Sequence, residues 1–102
     1  MRIIKEAFLV AKGREHPPAV RHLDVWRKTV KKAAWRNLVD VRQSYPDTDA
    51  VTVRSGRTVL IFNLRRNDYR LITAAHFNRQ IIYTLRFRTH AEYSKDRWKA
   101  TL

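Results

Sequence analysis

Cysteine is absent from this chain, which excludes disulfides and thiolate metal sites. No apolar run approaches the ~20 residues that a helix needs to span a bilayer. The opening Met1-Arg2-Ile3-Ile4-Lys5-Glu6 lacks the apolar core of a signal peptide, so the expectation is a cytoplasmic protein with no membrane partner. There is no Gly-rich phosphate loop, no paired carboxylates and no metal-ligand spacing. Four scattered His do not make a zinc site, and neither a metal nor a cofactor is expected. Linkers, internal repeats and low-complexity stretches are missing as well. Residues 1–102 therefore read as a single domain, long enough to bury a core unaided.

Acidic residues are scarce too. Nine Asp plus Glu face 22 Lys plus Arg, leaving a formal charge of +13 and a pI near 11.1. With 44% hydrophobic residues the chain is not a disordered basic tail. A folded domain this basic suggests a polyanionic partner, most often nucleic acid. The second half is the more one-sided, with 11 basic and 3 acidic side chains after position 50. Nine of those eleven are Arg, which suits bidentate phosphate contact and base stacking better than Lys.

Hydropathy patterning divides the chain in two. Met1–Ile4 reads as a short edge strand. Lys5–Glu15 reads as a helix stopped by His16-Pro17-Pro18. A second helix is expected over Ala19–Ala34, with Leu23, Trp26, Val30 and Ala33 inward, and a third over Leu38–Ser44. Lys28, Lys31, Lys32 and Arg36 are expected on a solvated face, and Trp26 and Trp35 in the core. After Asp49 the period changes. Ala50–Val53 and Thr58–Phe62 read as strands around the turn Arg54–Arg57, and Asn63–Asp68 as a polar turn. Tyr69–Phe77 and Gln80–Arg88 read as two strands joined by Asn78-Arg79. On the last strand a period of two puts Tyr83, Leu85 and Phe87 on one face and Thr84, Arg86 and Arg88 on the other. Thr89 with Glu92 has the spacing of a capping box opening a helix. Arg97-Trp98-Lys99 reads as the end of that helix or as a frayed tail. Helices followed by a run of strands imply an α+β domain: helices packed on one face of an antiparallel, four- to five-stranded twisted sheet, with a short C-terminal helix.

Particular residues in this layout resemble a family. They are Trp26, the Ala34-Trp35 pair, the strand Val59–Asn63 ending in Phe-Asn, Asn67-Asp68-Tyr69-Arg70-Leu71, and Thr89-His90-Ala91-Glu92-Tyr93. Together they resemble the HigB toxins of type II toxin–antitoxin systems, within the RelE-like mRNA interferases, over nearly the whole chain. One departure is Arg66, where the pattern has Gly before Asn67; it leaves the turn's geometry open and adds a cation. The resemblance implies an endoribonuclease that cuts mRNA on the translating ribosome and inhibits translation. It also implies a cognate HigA-like antitoxin, through which alone the toxin would meet operator DNA.

Metal-free RNA cleavage uses the 2′-hydroxyl as nucleophile. It needs a base for that hydroxyl, an acid for the 5′-oxygen and fixed positive charge for the phosphorane. Tyr93 resembles the C-terminal Tyr that RelE-like enzymes use. A phenol ordinarily titrates near 10, and cationic neighbours favour its phenolate. His90, three residues earlier, shares a helical face with Tyr93 and suits acid or base work; alternatively it orders the strand-to-helix junction. Arg70, Arg86 and Arg88 are the candidates for phosphorane stabilisation. Arg54 and Arg57 flank a turn and suit the phosphate backbone, and Asn63, Arg65, Arg66 and His76 complete the expected RNA-binding set. Two other readings stay open. A non-catalytic ribosome-binding module would use the same arginine-rich sheet. ParE-type toxins of the same superfamily poison gyrase and cut no RNA, and Arg70, His90 and Tyr93 argue against that alternative.

Overall fold

A computed structural model describes residues 1–95 and 97–102. The elements in order are β1 (Arg2–Ile4), α1 (Glu6–Glu15), a 3₁₀ turn Pro17–Ala19, α2 (Val20–Lys32), α3 (Leu38–Ser44), β2 (Asp49–Thr52), β3 (Thr58–Leu64), β4 (Tyr69–His76), a 3₁₀ turn Phe77–Arg79, β5 (Ile81–Thr89), α4 (His90–Ser94) and a 3₁₀ turn Arg97–Thr101. One sheet has the order β1-β5-β4-β3-β2. β2 to β5 form an antiparallel meander. β1 joins its edge by pairing parallel to β5, possible because three helices separate β1 from the meander. This is the expected α+β architecture. No helix among the described residues is long and apolar enough to cross a membrane.

The sheet has two covered faces. On one, Leu9, Leu23, Trp26, Val30 and Val41 from the helices pack on Phe62, Leu71, Ile82 and Phe87. Trp26 meets Phe62 edge-on at 5.4 Å, and Trp35 stacks on Phe62 at 6.2 Å, so both tryptophans are core, as expected. The helices pack closely because Gly13 carries no side chain: a Cβ there would sit 3.2 Å from Val20 Cγ2.

On the other face Val53, Val59, Ile61 and Ile72 form a second cluster, capped by Trp98. Trp98 is only 2% exposed, and burying a side chain of that size is worth about 2–3 kcal/mol. The end of the chain is therefore neither a continuation of α4 nor a frayed tail. It is a 3₁₀ turn laid across the sheet, tied to the β2–β3 turn by the Arg54 N–H donating to the Lys99 carbonyl at 3.3 Å.

Three further details differ from the sequence expectation. β3 continues through Asn63 and Leu64, because Leu64 is buried against the helix layer. The β4–β5 connection is wider than a two-residue turn: Phe77–Arg79 coil into 3₁₀ and Gln80 takes φ +54°. The Gln80 side chain fastens it by donating to the carbonyls of Trp35 at 2.7 Å and Phe77 at 2.9 Å. Finally, β5 is bulged: Ile72 lies opposite Arg86, yet Thr73 lies opposite Thr84. The extra residue, Leu85, breaks the period of two. Leu85 joins the Trp98 cluster while Phe87 joins the helix-side core. Thr84 parts from Arg86 and Arg88, and donates to the Lys5 carbonyl at 3.0 Å.

Candidate functional site

One end of the sheet gathers Asn63, Arg70 and Arg88, which lie opposite one another on β3, β4 and β5. Residues so placed share a face. Arg70 is only 9% exposed, and a buried guanidinium must find partners. Its Nη1 donates to the Asn67 carbonyl at 2.8 Å, its Nη2 lies 3.3 Å from His90 Nδ1, and its Cζ sits 5.3 Å from the centre of the Tyr93 ring. Arginine has no acceptor, so Nδ1 accepts, and the neutral His90 ring carries its proton on Nε2. His90 is otherwise exposed, which leaves Nε2–H facing solvent.

Local sequence explains why these groups meet. Thr89 is an extended N-cap whose side chain accepts from the Glu92 N–H at 3.3 Å, while Glu92 accepts from the Thr89 N–H at 2.9 Å. The expected capping box therefore starts α4 one residue after β5 ends. The His90 N–H donates to the Asp68 carbonyl at 2.9 Å, fixing α4 to the β3–β4 turn. His90 and Tyr93, three apart, then both face Arg70. Behind them Trp98 stacks on Tyr93 at 5.2 Å and 18°, and its Nε1 donates to the Tyr93 carbonyl at 3.2 Å.

The remaining sequence candidates divide by position. Arg86 and Arg88 share the Arg70 face, and among the described residues they hydrogen-bond neutral groups, Leu85 O and Phe87 O in the first place. Arg65 and Arg66 are exposed in the adjoining turn, both with positive φ (49° and 60°). Arg65 is paired with Asp68 at 3.0 Å. Arg54, Arg57 and His76 do not join this end. They sit by the two turns at the other end of the strands; His76 is six residues from Arg70, roughly 20 Å away at ~3.3 Å per residue. His76 instead meets the Tyr83 ring at 5.4 Å.

Charge is partitioned between the layers. Among the described residues every ion pair except Arg65–Asp68 lies within the first 50 residues. Lys31 on α2 is paired with Glu6, in keeping with a solvated face, whereas Arg36 lies in the loop between α2 and α3 rather than on the helix and pairs with Asp40. The Thr89 backbone bond, aided by Arg88, holds the Glu92 carboxyl below its ordinary value. Among the described residues no three His, Asp or Glu are grouped to hold a metal ion.

Sequence reasoning missed Trp98 and the backbone carbonyls of Asn67 and Asp68 as parts of this corner. Asn67-Asp68 belongs to one of the motifs that carry the resemblance, but a backbone carbonyl has no signature in side-chain identity. Trp98 carried no periodic signal at all.

Comparison with known proteins places the chain. A family model for HigB_toxin, the RelE-like toxic component of a toxin-antitoxin system, matches residues 19–96. No curated protein matches the chain. The matched span includes Arg70, His90 and Tyr93 but stops short of Trp98.

Proposed function

The chain belongs to the HigB toxin family, the RelE-like toxic components of toxin–antitoxin systems, and from that premise we propose that it is an mRNA endoribonuclease acting on the translating ribosome in the cytoplasm. A toxin of this family implies a cognate antitoxin; the antitoxin would be HigA-like and would carry any contact with operator DNA. The observation that carries the nuclease reading is the buried Arg70 guanidinium set against both His90 and Tyr93.

In the proposed reaction the 2′-oxygen forms a bond to phosphorus and the bond to the 5′-oxygen breaks, leaving a cyclic phosphate and a free hydroxyl. Arg70 acts mainly as the organiser, because its Nη1 and Nη2 already bond Asn67 and His90. Arg88 and Arg86, half-exposed on the same face, supply charge to the phosphorane. His90 presents Nε2–H to the phosphate or the leaving oxygen. Tyr93 is the group left to relay the 2′-hydroxyl proton to the departing 5′-oxygen, while His90 keeps its Nε2 proton and acts as a hydrogen-bond donor. No cofactor or metal enters the scheme. Arg54, Arg57 and His76, at the far end, would track the RNA strand or ribosomal RNA rather than touch the scissile bond.

The test is mRNA integrity in a translating extract with and without ribosomes, using folded, antitoxin-free protein. Wild type should cut mRNA only when ribosomes are present. Tyr93→Phe and His90→Ala should fold and fail to cut. Arg57→Ala should weaken binding and flatten its salt dependence. Intact mRNA with the wild type would leave a ribosome-binding module or a gyrase poison instead. Loss of cleavage that in all three variants merely tracks their loss of RNA binding would defeat the catalytic assignment.

A further inference from the structure

Beside the corner lies an open cleft of about 300 Å³, lined by Arg88, Glu92, Lys95, Arg97, Trp98 and Thr101. Three of these six side chains are cations. None of the three is ion-paired among the described residues. Among the described residues the lining has one carboxylate, Glu92, which accepts from the Thr89 N–H and also interacts with Arg88. The Thr101 hydroxyl donates to the Trp98 carbonyl at 2.9 Å and accepts from Arg86 Nη2 at 3.5 Å, which brings a fourth guanidinium to the rim.

We infer that this cleft is a phosphate subsite, which holds a phosphate of the RNA strand next to the one that is cut. Among the described residues of the lining three cations face one carboxylate, so the cations repel each other more than Glu92 offsets, and a bound phosphate reverses that balance. Position makes the ligand a strand rather than a free ion. Trp98 both lines the cleft and stacks on Tyr93, and Arg88 both lines it and lies opposite Arg70. A phosphate held here is therefore one short step from the corner, as successive phosphates of a chain are. Other clefts lack this combination. The cleft beside the β3–β4 turn, about 310 Å³, also holds three arginines and reaches Asn63, but its Arg65 is paired with Asp68 and its lining includes neither Arg88 nor Trp98. The groove at the end of α2 is larger, about 770 Å³, but its Arg36 is already paired with Asp40 and it touches none of the corner. The groove between α1 and α2 is mainly apolar. The assignment rests on the nuclease reading for the identity of the strand, and it gives Lys95 and Arg97 a role that the family match does not.

The test uses a 2′-O-methyl tetranucleotide, which offers no 2′-hydroxyl and so is bound but not cut. Each phosphate in turn is replaced by a neutral methylphosphonate, and binding is read by anisotropy. With wild-type protein, neutralising one phosphate beside the central one should weaken binding about threefold or more, the upper range for an exposed charge pair. Lys95→Ala and Arg97→Ala, both at exposed positions, should bind the all-phosphate strand correspondingly less well. They should lose nothing further when that same phosphate is neutral. Their slope of log Kd against log salt should fall by about 0.7 per contact. The inference is overturned if the variants bind like the wild type, or if they lose affinity equally whichever phosphate is neutral. It is also overturned if they keep the position-specific loss yet release an acidic antitoxin segment, which would make the cleft a protein-docking surface. Because binding is read without cleavage, these failures leave the nuclease reading standing. Position-specific binding by a protein that never cuts mRNA would retain the subsite and remove the nuclease.

Discussion

Arg70 Nη2 and His90 Nδ1 lie 3.3 Å apart, although the two residues are 20 positions apart in the chain. The bond sets the His90 tautomer and joins β4 to α4. Lysine cannot reproduce it, having a single ammonium point charge instead of a planar fork. Arg70→Lys should therefore fold, lose about 1–2 kcal/mol of stability from the broken hydrogen bonds, and lose cleavage by about 10²-fold or more. Denaturant melts and single-turnover cleavage on the same preparation would check this. Near-wild-type cleavage by the Lys variant would show that charge alone suffices.

Trp98 serves as the floor for the Tyr93 ring. Trp98→Ala opens a core void and should cost about 3–5 kcal/mol. Trp98→Phe keeps a stacking ring and removes the N–H to the Tyr93 carbonyl, for a cost of about 1 kcal/mol from that bond. With Phe, kcat should fall while KM stays near that of the wild type; a purely structural role would leave both unchanged in the folded fraction.

Arg66 occupies a left-handed conformation, φ +60°, at the position where its family resemblance leads one to expect glycine. A non-glycine residue there costs about 1–2 kcal/mol, partly offset by the greater chain entropy of glycine. Arg66→Gly should stabilise by about 0.5–1 kcal/mol, equivalent to several degrees in Tm. It should also weaken RNA binding and lower the salt slope by about 0.7. A lower melting temperature would contradict the strain argument.

Glu92 has its carboxyl held below the ordinary 4.5, first by the Thr89 backbone bond and further by the Thr89 side chain and Arg88. A depressed folded-state value means that the unfolded chain binds the proton first as pH falls. The contribution is complete above about pH 4.5 and fades as pH drops through the lower folded value. Glu92→Gln should show reduced stability at pH 7 and converge with the wild type in that acid window, read from melts between pH 7 and 3. Because Glu92 is exposed, the gap should be small.

Much of this was legible in the sequence. The third helix, the capping box and the antiparallel meander follow from periodicity and local chemistry. The pairing of His90 with Tyr93 follows from helical spacing. The bulge at Leu85 was not legible, because one extra residue inside a continuous β-type run leaves no mark on composition. Separation of His76 from Arg70 was hidden for a related reason: period two reports the face but not distance along the strand. Trp98 escaped because its burial depends on the second face of the sheet, formed by Val59, Ile61 and Ile72 on two other strands. A tryptophan in a short polar tail gives no local sign of such a partner.

The division of ion pairs between the layers has a consequence at long range. The first 50 residues set 6 carboxylates against 11 cations and keep +5, while the rest set only 3 against 11 and keep +8, so the field is stronger on the side of the arginine-rich sheet. A polyanion would turn such a molecule corner-first before contact, raising productive encounters by about 10–10³-fold at low salt. At ~0.15 M ionic strength the field reaches only about 8 Å, so the turning happens in the final approach. An antitoxin with an acidic face would be guided by the same field, and its speed of capture would then fall with salt in parallel with that of the RNA.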